Sequence, residues 1–222
     1  LFEAHNKDST VRVIYGPSQT LSKQIEEGAP IDVFLPSQVE EIDQLEKKGL
    51  VIRGTRRVYA STSLVLIAGT ELPAPIASVQ DLRTTLIRYI AIGDPKTSSV
   101  GKVAAQYLKY SKLDSQLKSQ LVYGEHSRAV LDLVAKGEAD LGIVYRTDAV
   151  SNKKIRILDE APVVSHQPVH YGVAAVWTAK NISGAGDFIN FLGRPQIQAL
   201  LQDHGFDRVA EPVGIAQRQE GQ

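Results

Sequence analysis

The 222-residue chain has no cysteine. That absence excludes disulfide frameworks, thiolate zinc sites and cysteine nucleophiles together. It fits an oxidising compartment, where free thiols are a hazard, and cytosolic chains can lack cysteine too. Methionine is also absent, for which the sequence offers no physical reason, and the chain opens on Leu1, as expected of a processed or truncated chain. Excess charge is missing: Lys+Arg and Asp+Glu both total 25. A neutral chain lacks the clustered cation that non-specific nucleic-acid binding needs, so no nucleic-acid partner is expected. No run of about 18 apolar residues occurs, so no membrane span is expected, and no secretory signal is visible. Neither GxGxxG nor GxxxxGK[ST] nor GxSxG occurs, which removes the common nucleotide cradles and the hydrolase elbow. His5, His126, His166, His170 and His204 show no metal-ligand spacing. No paired carboxylates or nucleophile–base constellation stands out, so the chain is not expected to be an enzyme and needs no cofactor.

What is present is an alternation of strand and helix, which argues an α/β fold. Hydrophobic residues make up 43% and charged residues 23%, enough apolar surface for one large domain or two small lobes. Strands are expected at 11–15 (VRVIY), 32–35, 63–68 (SLVLIA), 90–92, 141–145 (LGIVY), 155–158 and 170–177. Helices are expected at 20–27, from Ser37 to Gly49, at 100–110, from about Asp114, at 127–136, 186–192 and 195–203. Ser37 with Glu40 reads as a capping box, and Ser78 with Asp81 caps a short helix.

Three strand-to-helix junctions carry Gly or Ser: Gly16-Pro17-Ser18, Thr97-Ser98-Ser99-Val100-Gly101 and Glu125-His126-Ser127. Such junctions leave unpaired backbone N–H groups at helix N-termini, where the helix dipole favours an anion. In open α/β sheets ligands gather at the carboxyl ends of strands. Local sequence leaves plainer readings open. Ser18 also fits a turn or N-cap residue, Tyr145 a core tyrosine with a bonded hydroxyl, and Ser98, Ser99 and Ser127 fit caps. Gly93-Asp94-Pro95 is turn chemistry, with Asp94 bonding local backbone. Arg146 and Asp148, just after Tyr145, read as a surface pair.

Four blocks in order resemble the periplasmic molybdate-binding proteins of ABC transporters, within the type II periplasmic-binding-protein superfamily. They are residues 20–34, with Glu27-Gly28-Ala29-Pro30-Ile31-Asp32-Val33-Phe34 at their core; Gly93-Asp94-Pro95 with Gly101; residues 137–145 with Asp148-Ala149; and Ser165-His166-Gln167-Pro168. Gly205-Phe206 after the last helix fits as well. The resemblance implies two α/β lobes, one of 1–66 plus 168–222 and the other of 67–167. Crossover strands would lie near 64–68 and 171–176, with the ligand held where the lobes close. It implies a tetrahedral oxyanion, molybdate or tungstate, bound by uncharged donors and handed to a membrane permease. It further implies a monomer outside the cytoplasm, periplasmic or lipid-anchored. Carried over by position, Ser18 supplies a hydroxyl and an amide, Val100 and Ser127 supply backbone N–H groups, and Tyr145 supplies its hydroxyl. All four contact oxyanion oxygens rather than the metal itself.

Three departures from the family pattern stand out. Ser99-Val100 replaces the usual Pro-Ala before Gly101. Ser127 occupies a position that is often apolar. The family's opening strand, serine-bearing loop and helix precede what is here Leu1-Phe2-Glu3, so a longer natural chain is expected. The alternatives are the same fold binding sulfate or another anion, and the effector-sensing domain of a regulator.

Overall fold

The computed structural model describes residues 1–16, 18–72, 75–207 and 209. In chain order its first half holds α1 Phe2–His5, α2 Ser18–Glu26, β1 Val33–Phe34, α3 Val39–Lys47, β2 Arg57–Thr62, β3 Leu64–Gly69, β4 Ile90–Gly93 and α4 Ser99–Tyr110. The second half holds β5 Leu121–Gly124, α5 Ser127–Ala135, β6 Leu141–Tyr145, α6 Arg146–Ala149, β7 Ile155–Glu160, β8 Val169–Ala175, α7 Ile182–Leu192 and α8 Pro195–Asp203. The class is α/β, as the alternation of patterns predicts. The chain forms two compact units. Leu1–Ser61 and His170–Gln202 belong to the first, and Thr62–Val169 and Asp203–Asp207 to the second.

The first unit is built on a sheet in the order β1-β8-β2. β1 runs antiparallel to β8, with Val33 opposite Ala175 and Phe34 opposite Ala174. The second half of β8, Gly172–Ala175, is buried on both faces because both are covered. Ala174 and Val176 pack with Ile25 of α2, Phe34, and Ile42 and Leu45 of α3. Val173 and Ala175 pack with Ala185 and Ile189 of α7. α3 buries Val39, Ile42 and Leu45, the three-residue spacing of a helix with one covered face.

The second unit carries a five-stranded sheet in the order β5-β4-β6-β3-β7. β4 is parallel to β5 and to β6, whereas β3 runs antiparallel to β6 and β7. β3 buries every residue from Leu64 to Ala68 because both sheet faces are covered. Leu64, Leu66 and Ala68 meet Val103, Tyr107 and Leu108 of α4. Val65 and Ile67 meet Val130, Leu131 and Val134 of α5. The helices that follow β4 and β5 therefore leave the same sheet edge toward opposite faces. In α/β sheets that arrangement opens a crevice at the strand ends.

Several local expectations fail for identifiable reasons. Residues 11–15 form no strand: Val13, Ile14 and Tyr15 are exposed, and the Val11 N–H bonds Glu3 Oε1 at 2.7 Å instead of a ladder partner. β-Branched content favours a strand only where a partner edge exists. No α-helix starts at Asp114. Lys112 has φ 56°, the chain turns there, and only a 3-10 turn, Lys118–Gln120, follows. Leu113 and Leu117 are nevertheless buried, so helix-like apolar spacing came from a packed turn. Two strands escape the pattern, β2 with its polar RVYAST and the four-residue β5. Ser37 does not cap α3, whose N-cap is Gln38 without a side-chain bond. The Ser78–Asp81 capping box forms as read, on the 3-10 helix Val79–Arg83.

Candidate functional site

The parallel register ends β4 and β5 together, with Gly93 opposite Gly124. Each strand end turns directly into a helix, and at β4 the turn is unusually close. A Cβ on Gly93 would lie 2.7 Å from the Gly101 nitrogen and from Ser98 Oγ, and one on Gly101 would lie 2.6 Å from the Asp94 carbonyl carbon. Only glycine at both positions lets the first turn of α4 sit against the strand end. Asp94 steers the turn: its side chain accepts the Lys96 N–H at 2.9 Å and its carbonyl accepts the Ser98 N–H at 2.8 Å. This is the local role expected of it.

Both helices begin with unpaired donors. In α4 the Lys102 N–H is the first to reach a carbonyl of its own helix turn, that of Ser98 at 3.1 Å. The amides of Ser99, Val100 and Gly101 precede it and have no acceptor within the helix. In α5 the Val130 N–H reaches His126 O at 3.1 Å, and His126 Nδ1 accepts the Ala129 N–H at 3.1 Å. The amides of Ser127 and Arg128 are left without an intrahelical acceptor. The cap of α5 is thus His126, not Ser127, and Ser98 at the N-cap of α4 makes no side-chain cap bond. The reading of these serines as caps is corrected on that ground.

Tyr145, the last residue of β6, joins the two helix starts. Its N–H donates to Ser127 Oγ at 3.2 Å, and its hydroxyl donates to Ser99 Oγ at 3.1 Å. Val100, Ser127 and Tyr145 are all buried. The Val100 side chain is part of the core beneath α4, so its amide is the group left for a ligand. Three of the four sequence-derived positions therefore lie together at one sheet edge of the second unit. Two positive helix ends, each equivalent to roughly half an elementary charge, and several N–H and O–H donors make this edge suited to an anion.

Ser18 lies in the first unit, as the first residue of α2. Its Oγ accepts the Ser37 N–H at 3.0 Å and lies 3.2 Å from Ser37 Oγ. Ser37, read as a cap, instead brings a second hydroxyl to Ser18. The junction signal of Gly and Ser found Ser18 but could not find Ser37, which is 19 residues away. Ser99 likewise reads locally only as a cap, because its contact with Tyr145 spans 46 residues.

Arg146, the residue after Tyr145, does not pair with Asp148. It donates to Asp207 Oδ1 at 2.9 Å. Burial holds the Asp207 carboxyl above its usual range, and the Glu160 charge adds to this, against the opposing pull of Arg146. Among the described residues no group of three or more His, Asp or Glu could hold a metal ion. No described helix is long and apolar enough to cross a membrane.

The sequence matches the family of bacterial extracellular solute-binding proteins over residues 1–207. It is similar to the molybdate-binding protein ModA of Haemophilus influenzae, 31% identical across 92% of this chain and 82% of that one. It is also similar to a Bacillus subtilis protein named as an ABC transporter substrate-binding lipoprotein, 29% identical over 92% of this chain and 78% of that one. Among solved structures, a substrate-binding domain assigned to a molybdenum ABC transporter of Clostridium difficile superposes with a TM-score of 0.85. It is 30% identical and covers 94% of this chain and 90% of that one. The chain belongs to the bacterial extracellular solute-binding protein family.

Proposed function

We propose that this protein binds a tetrahedral oxyanion, molybdate or tungstate, and delivers it to the membrane permease of an ABC importer without any chemical turnover. The two units are its two lobes. It works outside the cytoplasm as a monomer, free or lipid-anchored, with no nucleic-acid partner. The observation that carries the reading is Tyr145, which bonds Ser99 at the start of α4 and Ser127 at the start of α5. The relatives' names supply the ligand class.

The physics fits the ligand. A dianion buried without a counter-charge is tolerated only if its oxygens are hydrogen-bonded throughout. Preorganised amides and hydroxyls supply such bonds, and hydrogen bonds to charged groups are the stronger class. On this reading Val100 and Ser127 give N–H groups and Tyr145 gives its hydroxyl. Ser18 of the first unit is a further oxyanion donor by its place in the family pattern. Choice among tetrahedral anions then rests on cavity size and donor geometry.

A thermal-shift screen against molybdate, tungstate, sulfate and phosphate tests this. Ligand at about 100 times its Kd stabilises the folded state by about 2.7 kcal/mol, a rise in Tm of about 5–10 °C for a chain of this size. The reading expects that rise with molybdate or tungstate alone. A flat response to all four anions contradicts it.

A further inference from the structure

Ser99 brings a hydroxyl to the start of α4, against Tyr145 and beside Val100, and the donor set implied by the family pattern leaves it out. Ser99 is the first residue of α4, next to Val100, and is only partly buried. Its Oγ accepts the Tyr145 hydroxyl proton at 3.1 Å. The direction of that bond matters. A phenol is the stronger acid of the two hydroxyls and therefore the better donor. With its oxygen occupied as acceptor, Ser99 keeps its own O–H available to donate. Accepting one bond also polarises that O–H and makes it a stronger donor. We propose that Ser99 is a direct side-chain donor to the bound oxyanion and a specificity determinant of the site, acting as one unit with Tyr145.

This deepens the oxyanion reading above and rests on it. Backbone amides can only donate, so a cradle of amides alone favours fully deprotonated oxyanions. The Ser99–Tyr145 pair is different: each hydroxyl carries one proton and acceptor lone pairs, and the bond between them can reverse. In the bound state Tyr145 can turn its proton to the anion while Ser99 donates to the phenol oxygen or to a second anion oxygen. Removing Ser99 therefore costs one donor and also removes the acceptor that Tyr145 Oη bonds, so the effects of changing the two residues should not be additive.

Calorimetric titration of the wild type, Ser99→Ala, Ser99→Thr, Tyr145→Phe and the Ser99→Ala/Tyr145→Phe double variant with molybdate, sulfate and phosphate tests the proposal. Thermal melts of each serve as the folding control. The expected result is a Kd for molybdate weakened about tenfold or more by Ser99→Ala, the scale of a lost bond to a charged acceptor. Ser99→Thr, which keeps the hydroxyl, should stay within about threefold. The double variant should lose less than the product of the single losses. A Ser99→Ala protein that binds molybdate as the wild type does overturns this inference and leaves the oxyanion reading standing. A wild type that binds none of these anions overturns both.

Discussion

Two serine pairs in this molecule look alike in composition and differ in how they are held. In the second unit, Ser99 and Ser127 are bonded to one buried tyrosine, at helix starts fixed against strand ends by glycines that leave no room for a Cβ. In the first unit, Ser18 and Ser37 bond each other at 3.2 Å through an exposed contact between the start of α2 and the approach to α3. The first arrangement is preorganised by backbone packing, so donors there cost little reorganisation on binding. The second depends on exposed hydroxyl bonds, each individually worth about 0.5–1.5 kcal/mol.

That contrast is broken most strongly at Gly101. Gly101→Ala puts a Cβ within 2.6 Å of the Asp94 carbonyl carbon, so the first turn of α4 must move. Overpacking of this kind costs about 1–3 kcal/mol, read as a Tm lower by about 2–12 °C. Because the Val100 amide moves with the turn, molybdate affinity should fall more than for any single side-chain change. Tyr145→Phe should keep the fold, since the ring remains, and weaken molybdate binding by about 1.5–3 kcal/mol. Calorimetry checks both variants. Ser18→Ala should be milder, with affinity lower by about threefold to tenfold, because a partly exposed hydroxyl is lost while the amide stays.

The smallest effect concerns acid stability. Asp140 accepts the Arg88 N–H at 2.6 Å and the Arg88 guanidinium at 2.7 Å. Burial alone would raise the Asp140 carboxyl, but the Arg88 hydrogen bonds and charge outweigh it and hold it below the ordinary 3.8. A depressed folded-state value means that the contribution is complete above the unfolded value and disappears as pH falls through the lower folded one. Chemical denaturation from pH 5 downward should therefore show a stability loss in the wild type that Asp140→Asn lacks, small because Arg88 is largely exposed and solvent screens the pair.

The contrast also explains what could be read in the sequence. LGIVY at 141–145 and the span 195–203 match their elements because an unbroken apolar run, or a proline start with helical spacing, admits one interpretation. VRVIY at 11–15 misleads because strand formation needs a partner edge, which composition does not reveal. RVYAST gives little strand signal because β2 alternates around polar residues. Of the candidate site, the junction chemistry near Val100 and Ser127 was legible as local Gly and Ser spacing. The bonds that Tyr145 makes to Ser99 and Ser127, and the bond from Ser37 to Ser18, join residues at least 18 positions apart. Only the fold brings them together.

The most direct test is calorimetric titration of molybdate into the wild type, repeated with sulfate in excess. The account predicts one saturable site whose affinity for molybdate survives sulfate competition and falls by about tenfold or more in Tyr145→Phe. No heat of binding for molybdate, or binding that Tyr145→Phe leaves unchanged, would contradict an oxyanion site at the ends of β4, β5 and β6.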